Sequence, residues 1–400
     1  MLKRLVALIS YALTALLLIV VSGCAYQPKV QAVLPPVVFV HGEGASAAYW
    51  QDMVWRFESN GWSRARLFAL QQPYPLAREV DGKEQPGRSS DAELLTFLRD
   101  AVDKVLTQTD AKQVMLVGQG RGALAIRNYI LNAGGDQTVS HAVLAGVDAP
   151  WTGKNNKLTL VDFESKALKG VKTLVIARAD QRDGAFTTAD FEASYRLITD
   201  KAPPSPTIWP QYELVLDGQV TGMGVQSGDR ASPDNEFANN LPVPKAVVEV
   251  FEVQRGTGLR LGAAVYQKAV GADGRWGPFT AQQGSAYEFV VRAPGYAVTH
   301  IYRSPFLRGS ALVHLRASRI SDADLPAFSI TELQRHSGRL DTAVRHITFD
   351  GQSPPPAKVT LTRLQYRAIE AEIHTDRIER VSGRTWPAKE SHVARLELTQ

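Results

Sequence analysis

From Pro35 onward the chain alternates short, wholly apolar runs with longer stretches in which apolar residues recur every three or four positions. Val37-Val38-Phe39-Val40 is apolar throughout, as expected of a strand covered on both faces. Residues 47–58 have helical spacing, and Gly61 lies where that helix would end. Residues 66–70 read as a second strand. Ser90 with Glu93 three residues later forms a capping box; Leu94, Leu95, Leu98, Ala101, Val102, Val105 and Leu106 then trace one face of the helix it opens. Residues 114–117 form another buried strand, running directly into Gly118-Gln119-Gly120-Arg121-Gly122 and a helix over residues 123–131. Further strands are predicted at 139–144, 173–177 and 213–216. Strands alternating with helices predict an α/β fold over residues 35–238: a mostly parallel sheet with helices on both faces.

Past Asn239-Asn240-Leu241-Pro242-Val243-Pro244 the texture changes. Residues 247–253 and 287–291 are short and β-rich, and turns such as Gly271-Ala272-Asp273-Gly274 separate such segments. This predicts a β-sandwich-like domain over 239–317 and, beyond a boundary near 316–321, a second β-rich module over 318–400.

The first residues have a different character. Met1-Leu2-Lys3-Arg4 is cationic, and residues 5–21 are apolar apart from Ser10, Tyr11 and Thr14. Small residues then precede the chain's one cysteine, Cys24. A basic start, an apolar middle and a small-residue exit describe a secretion signal. Val21-Ser22-Gly23-Cys24 resembles a lipobox, which implies cleavage after residue 23, acylation of the Cys24 thiol and a linker over 24–34. Ala25 after the cysteine implies an outer-membrane destination. The competing reading is an uncleaved anchor, since about 17 apolar residues sit at the lower limit for spanning.

Composition adds mainly exclusions. Across 400 residues, 44% are apolar and 21% charged, which is ordinary globular usage. One cysteine rules out an internal disulfide framework and Cys-rich metal sites. The 45 Lys and Arg exceed the 40 Asp and Glu by five. Losing Lys3 and Arg4 with the signal would reduce the surplus to three, and no basic run suggests nucleic-acid binding.

The candidate chemistry lies at residues 118–122. A strand, G-x-G-x-G and a helix are the setting of a nucleophile elbow, which reads G-x-S-x-G in α/β-hydrolases. With Ala125-Ile126-Arg127-Asn128-Tyr129, the loop His41-Gly42-Glu43-Gly44, Trp55-Arg56-Phe57-Glu58-Ser59-Asn60-Gly61 and Ser140-His141-Ala142-Val143-Leu144, it resembles secreted bacterial lipases and esterases of the α/β-hydrolase superfamily. The resemblance covers about residues 35–220, and the β-rich tail is similar to accessory domains of some such lipases. It implies carboxylic-ester hydrolysis, an oxyanion and ligand pocket shaped by His41, Gly42, Gly44 and the N–H of Arg121, and no cofactor.

The departures concern the reacting groups. Gly120 stands where the nucleophilic serine belongs and supplies no oxygen. In this fold the acid and then the histidine follow the nucleophile, yet the eight histidines (41, 141, 300, 314, 336, 346, 374 and 392) leave 142–299 empty. Asp180 or Asp183 falls where the family places its acid. No catalytic set is intact, which predicts a lipase-like envelope lipoprotein without catalysis, binding an acyl or ester ligand or an envelope partner. Two alternatives remain open: an active ester hydrolase using Ser46 or Thr152, and a structural or adhesive protein acting through its β domains. Glu43 reads as an exposed variable position, His141 as a structural hydrogen-bonder, and Trp50 and Trp55 as helix core. No metal motif appears, and the glycines fit neither a dinucleotide fingerprint nor a P-loop.

Overall fold

The computed structural model describes residues 34–146, 170–176, 186–223, 238–320, 324, 326–335, 344–353, 361–362, 366–374 and 377–399. Residues 1–23, expected to form a signal, and Cys24, Thr152, Asp180, Asp183 and His336 lie outside the described residues. The described residues from Pro35 onward belong to one compact unit.

Five parallel strands make the first sheet: β1 (Val37–Val40), β2 (Leu67–Ala69), β3 (Val114–Gln119), β4 (Val139–Ala145) and β5 (Lys172–Ile176), in the order β2-β1-β3-β4-β5. Their near-continuous apolar runs are buried because successive side chains enter opposite layers. Val38, Val40, Leu116 and Leu144 pack with helices α2 (Asp91–Thr109) and α3 (Arg121–Asn132). On the other face Phe39 meets Trp50 and Phe57 at 5.3 and 5.8 Å between ring centres. Phe57, on α1 (Gln51–Ser59), in turn meets Phe191 of α4 (Thr188–Thr199) at 5.3 Å. The capping box of α2 forms as predicted: Glu93 N–H donates to Ser90 Oγ at 3.1 Å, and Ser90 N–H to Glu93 Oε2 at 2.7 Å.

The strand expected at 213–216 exists but belongs elsewhere. It is the start of β6 (Glu213–Met223), which pairs with strands of the β-rich half and not with the parallel sheet. Its residues show why: Leu214 and Leu216 are fully buried while Val215 is 41% exposed. Alternation of this kind suits a sheet with one solvated face, not a strand buried on both.

The remaining strands longer than two residues are β7 (Ala238–Pro242), β8 (Val247–Val253), β9 (Tyr266–Ala269), β10 (Arg275–Gln282), β11 (Ala286–Arg292), β12 (Val298–Arg303), β13 (Leu315–Ala317), β14 (Ser329–Arg335), β15 (Val344–Phe349), β16 (Ala368–His374), β17 (Ile378–Arg384) and β18 (His392–Leu398). A seven-stranded sheet runs β9-β8-β11-β12-β18-β14 and ends on the short strand Leu361–Thr362. Phe289, Val291 and Ile301 on one of its faces share a core with Leu214, Leu216 and Trp276 of the sheet β10-β6-β13. Tyr302, Ala394 and Leu396 on the other share a core with Ile369, Ile373 and Val381 of the sheet β15-β16-β17. Because β18 lies between β12 and β14, parallel to both, ranges 239–317 and 318–400 contribute to one sheet.

Trp50 and Trp55 are buried, as expected of helix core. Trp55 also joins the core of the β-rich half and donates its Nε1–H to the Gly309 carbonyl at 2.9 Å. Among the described residues no helix is long and apolar enough to cross a membrane.

Candidate functional site

Strand β3 delivers the chain to Gly120, which adopts φ 53° and ψ −121° before α3 begins at Arg121. A positive φ with this ψ is open to glycine without cost and strained for other residues. The Gly120 N–H donates to the Ala145 carbonyl at 2.8 Å, fixing the turn to the end of β4. A Cβ built on Gly120 would find no atom nearer than Gly42 Cα, at 4.0 Å. The elbow thus keeps its shape and leaves room for the side chain it lacks.

The flanking glycines answer to close contacts. A Cβ on Gly122 would lie 2.5 Å from the Val40 carbonyl oxygen and 2.6 Å from that of His41; one on Gly118 would lie 2.5 Å from Ile126 Cδ1. Both let α3 approach the sheet. A Cβ on Gly42 would collide with the Gln119 side-chain amide, which lies across the loop at that point.

His41 is buried, at 1% exposure, and both ring nitrogens are occupied. Gln72 N–H donates to Nε2 at 3.2 Å, so the proton sits on Nδ1, which is 2.9 Å from the Gly42 carbonyl. Burial pushes its pKa down to about 4; the Gly42 carbonyl opposes the shift and the Arg316 charge adds to it. His41 is therefore a neutral brace with no free nitrogen for general-base work. Gly44 takes φ +70° and donates its N–H to the Pro75 carbonyl at 3.3 Å. The exposed Glu43 carboxylate accepts from Ala77 N–H at 3.1 Å, holding the loop outward.

The Arg121 side chain is engaged away from any ligand. It donates to Ser89 Oγ at 2.9 Å, the Ser89 carbonyl at 2.6 Å and Asp91 Oδ1 at 3.1 Å. Its backbone N–H opens α3, where the first amides have no partner within the helix and form an anion-receptive end. The site can thus hold developing negative charge, but nothing described in it can attack a carbonyl.

His141 does not reach the site. It is near the start of β4, whereas Ala145 pairs with Gln119 at the elbow end, about 13 Å along the strand. Its Nδ1 is 3.0 Å from Ser140 Oγ. Burial and the charge of Lys172 lower its pKa. Ser46 is 8% exposed, just before a short turn of 3₁₀ helix at Ala47–Trp50. Among the described residues no group of three or more His, Cys, Asp or Glu side chains could hold a metal ion.

Sequence reasoning missed Asn240 and Arg316, which it had placed at domain boundaries. Asn240 donates to the carbonyls of Ala45 at 3.0 Å and Gln72 at 2.8 Å, its own N–H reaches the Pro73 carbonyl at 3.0 Å, and its Oδ1 accepts from Arg316 at 3.0 Å. It is 3% exposed and clamps the His41–Gly44 loop from the β-rich half. Burial lowers the Arg316 pKa to about 10, and Arg395 adds to the shift. No local pattern reveals such a clamp; an Asn beside two prolines reads as a turn.

Residues 35–147 match the family model Lipase (class 2), and residues 213–320 match Lipase C-terminal domain. The chain is a lipase-like α/β-hydrolase. The first of these matches contains the elbow and the His41–Gly44 loop, and the second starts at β6, where the β-rich half begins. This lipase-like chain is also similar to an extracellular α/β-hydrolase from a Paenibacillus species, at 17% identity and a TM-score of 0.22 over 29% of this chain and 42% of that one. Lipase BlEst2 of Bacillus licheniformis, in its mature form, is 19% identical with a TM-score of 0.23 over 29% and 41%. The lin2722 gene product of Listeria innocua is 14% identical with a TM-score of 0.23 over 51% and 76%. The chain spans about two-fifths of the length of the first two, and the assignment rests on the family models.

Proposed function

We propose that this lipase-like protein is a catalytically degenerate member of its fold, carried as a lipoprotein of the cell envelope, whose retained elbow binds an acyl or ester group without hydrolysing it. One observation carries the reading: Gly120 keeps the elbow backbone, an N–H-lined helix start and space for a side chain, but has no nucleophile. The fully engaged His41 supports it, since the histidine of the loop beside Gly120 cannot serve as a base. The lipid anchor rests on the Cys24 junction and makes the membrane its first partner.

The chain from Ala25 onward, incubated with short p-nitrophenyl esters and a fluorophosphonate probe, is expected to show no turnover above background and no covalent labelling. Stoichiometric labelling or robust turnover would sink the reading in favour of a different nucleophile, Ser46 or Thr152. Radiolabelled palmitate is expected to enter the full chain and not Cys24→Ala; persistence in the variant would overturn the anchor.

A further inference from the structure

The short segment leading into β6 exposes two large aromatic side chains. Trp209 is 60% exposed and Tyr212 91%, while Ile208 just before them is buried in the core of the β-rich half. Their backbone is tied down on both sides. Trp209 N–H donates to Ser59 Oγ at 3.0 Å, and the Trp209 carbonyl accepts from Arg308 at 2.6 Å. Gln211 N–H donates to the Leu307 carbonyl at 2.8 Å, and its Oε1 accepts from Gly309 N–H at 2.9 Å. The fold therefore fixes this segment and leaves its aromatic rings in solvent.

A third apolar side chain joins them. Ile378 on β17 is 60% exposed, and it lines a cavity of about 790 Å³ together with Leu307 and with Pro210, which stands between the two aromatics. The arginines bordering this patch are already paired: Arg308 with Glu58, Arg377 with Asp52 at 3.5 Å, and Arg380 with Glu372. Arg255 shares the cavity with the carboxylates of Glu370 and Glu379. No surplus of positive charge selects an anionic partner. What the patch offers is Trp, Tyr and an aliphatic side chain, the combination that settles at a lipid–water interface, with ring bodies among the acyl chains and N–H or O–H groups among the headgroups.

Position points to the same partner. Trp62 Nε1–H donates to the Pro35 carbonyl at 3.0 Å, and Trp62 lies three residues after Ser59, which holds Trp209. The start of the compact unit and the aromatic segment are thus held by the same end of α1. Pro35 follows Cys24 by eleven residues, a length of chain that spans at most about 40 Å. Two aromatics and one aliphatic hold a bilayer only weakly by themselves. A lipid at Cys24 would make their seating a tethered event, at a high effective concentration of lipid.

We propose that Trp209, Tyr212 and Ile378 form a docking face that seats in the interface of the bilayer carrying the Cys24 anchor. The proposal deepens the envelope reading given above and rests on it for the tether.

Cys24 is the chain's one cysteine, so the chain from Cys24 onward can be coupled to a maleimide-bearing lipid in phosphatidylcholine vesicles. Brominated phosphatidylcholine in those vesicles quenches tryptophan that enters the acyl region. Quenching is expected, and it should fall by about half or more in Trp209→Phe, because Trp50, Trp55, Trp62 and Trp276 are buried in the protein. The double variant Tyr212→Ser/Ile378→Ser keeps the reporter and should also lose about half of the quenching or more, with an unchanged melting profile because both side chains are exposed. Salt at about 1 M should leave the quenching intact, since it screens charges and not apolar contact. Absent quenching in the coupled protein, equal quenching in Trp209→Phe, undiminished quenching in the folded double variant, or loss of quenching in salt would each overturn the proposal. So would a dimer of the uncoupled chain in sedimentation that Trp209→Phe dissociates, since a second copy would then cover the face. The coupling is chemical, so a failed palmitate assay removes the natural anchor and leaves this result standing, while absent quenching removes the docking face and leaves the anchor.

Discussion

At Gly122 one added methyl group would meet the carbonyl oxygens of Val40 and His41, backbone atoms that cannot swing aside. Gly122→Ala should therefore destabilise the fold by about 1–3 kcal/mol, the range of overpacking in a tight core. Urea denaturation measures it, and a loss under 0.5 kcal/mol would mean that α3 can retreat from the sheet. Gly120 is the opposite case. A serine there has space, so Gly120→Ser should fold at a strain cost of about 1–3 kcal/mol. Its esterase activity should stay several orders of magnitude below that of an intact triad, because removing the histidine from a triad costs about 10⁶-fold. Recovery of ordinary esterase rates would reveal a base in the site. These two glycines look equivalent in the sequence. Only coordinates separate a glycine needed for contact from one that replaces a reactive residue.

Helices and strands were legible where their own residues specify them. The Ser90–Glu93 box and the apolar face behind it predicted α2 within a residue or two of its observed start, and the all-apolar runs predicted the parallel strands. Residues 213–216 were read as a strand correctly but put in the wrong sheet, since pairing partners are set by distant segments. Their alternation was visible and was the usable signal. The sequence marks the Asn239–Asn240 stretch only as the start of a new domain, and it is part of β7. There Asn240 makes two side-chain bonds and one backbone bond to the loops beside the site. Asn240→Ala leaves buried acceptors unpaired and should cost about 2–4 kcal/mol. Hydrogen exchange should quicken in residues 41–46 and 72–74, and unaltered protection there would show that the clamp is dispensable.

Across the whole molecule, buried neutral histidines tie stability to pH. Burial holds both His41 and His300 at a pKa of about 4, against 6.5 for the free side chain. His300 stays low although Glu288 accepts from its Nδ1–H at 2.6 Å, a contact that opposes the shift. Between pH 6.5 and 4 the unfolded chain therefore binds protons that the folded chain does not. Stability is complete above about pH 6.5 and declines as pH falls towards 4, by up to about 3 kcal/mol for each histidine. Denaturation midpoints at pH 7, 5.5 and 4.5 should decrease in that order. A flat profile would mean that these rings take up protons without leaving their buried positions. The same scale explains the joining of the two halves, since Trp55 of α1 is packed into a core made mostly by β-strands.

The sequence by itself determined the alternation of strands and helices, the position of the elbow, the absence of an oxygen at Gly120 and the lipobox-like junction at Cys24. Each is a property of neighbouring residues, where steric limits, period and chemical identity act locally. Tertiary structure decided which sheet β6 entered, that β18 draws residues 239–317 and 318–400 into one sheet, that His41 has no free nitrogen, and that Trp209 and Tyr212 stand exposed. Those outcomes depend on which groups approach across tens or hundreds of residues, and burial, pairing and pKa follow from that approach.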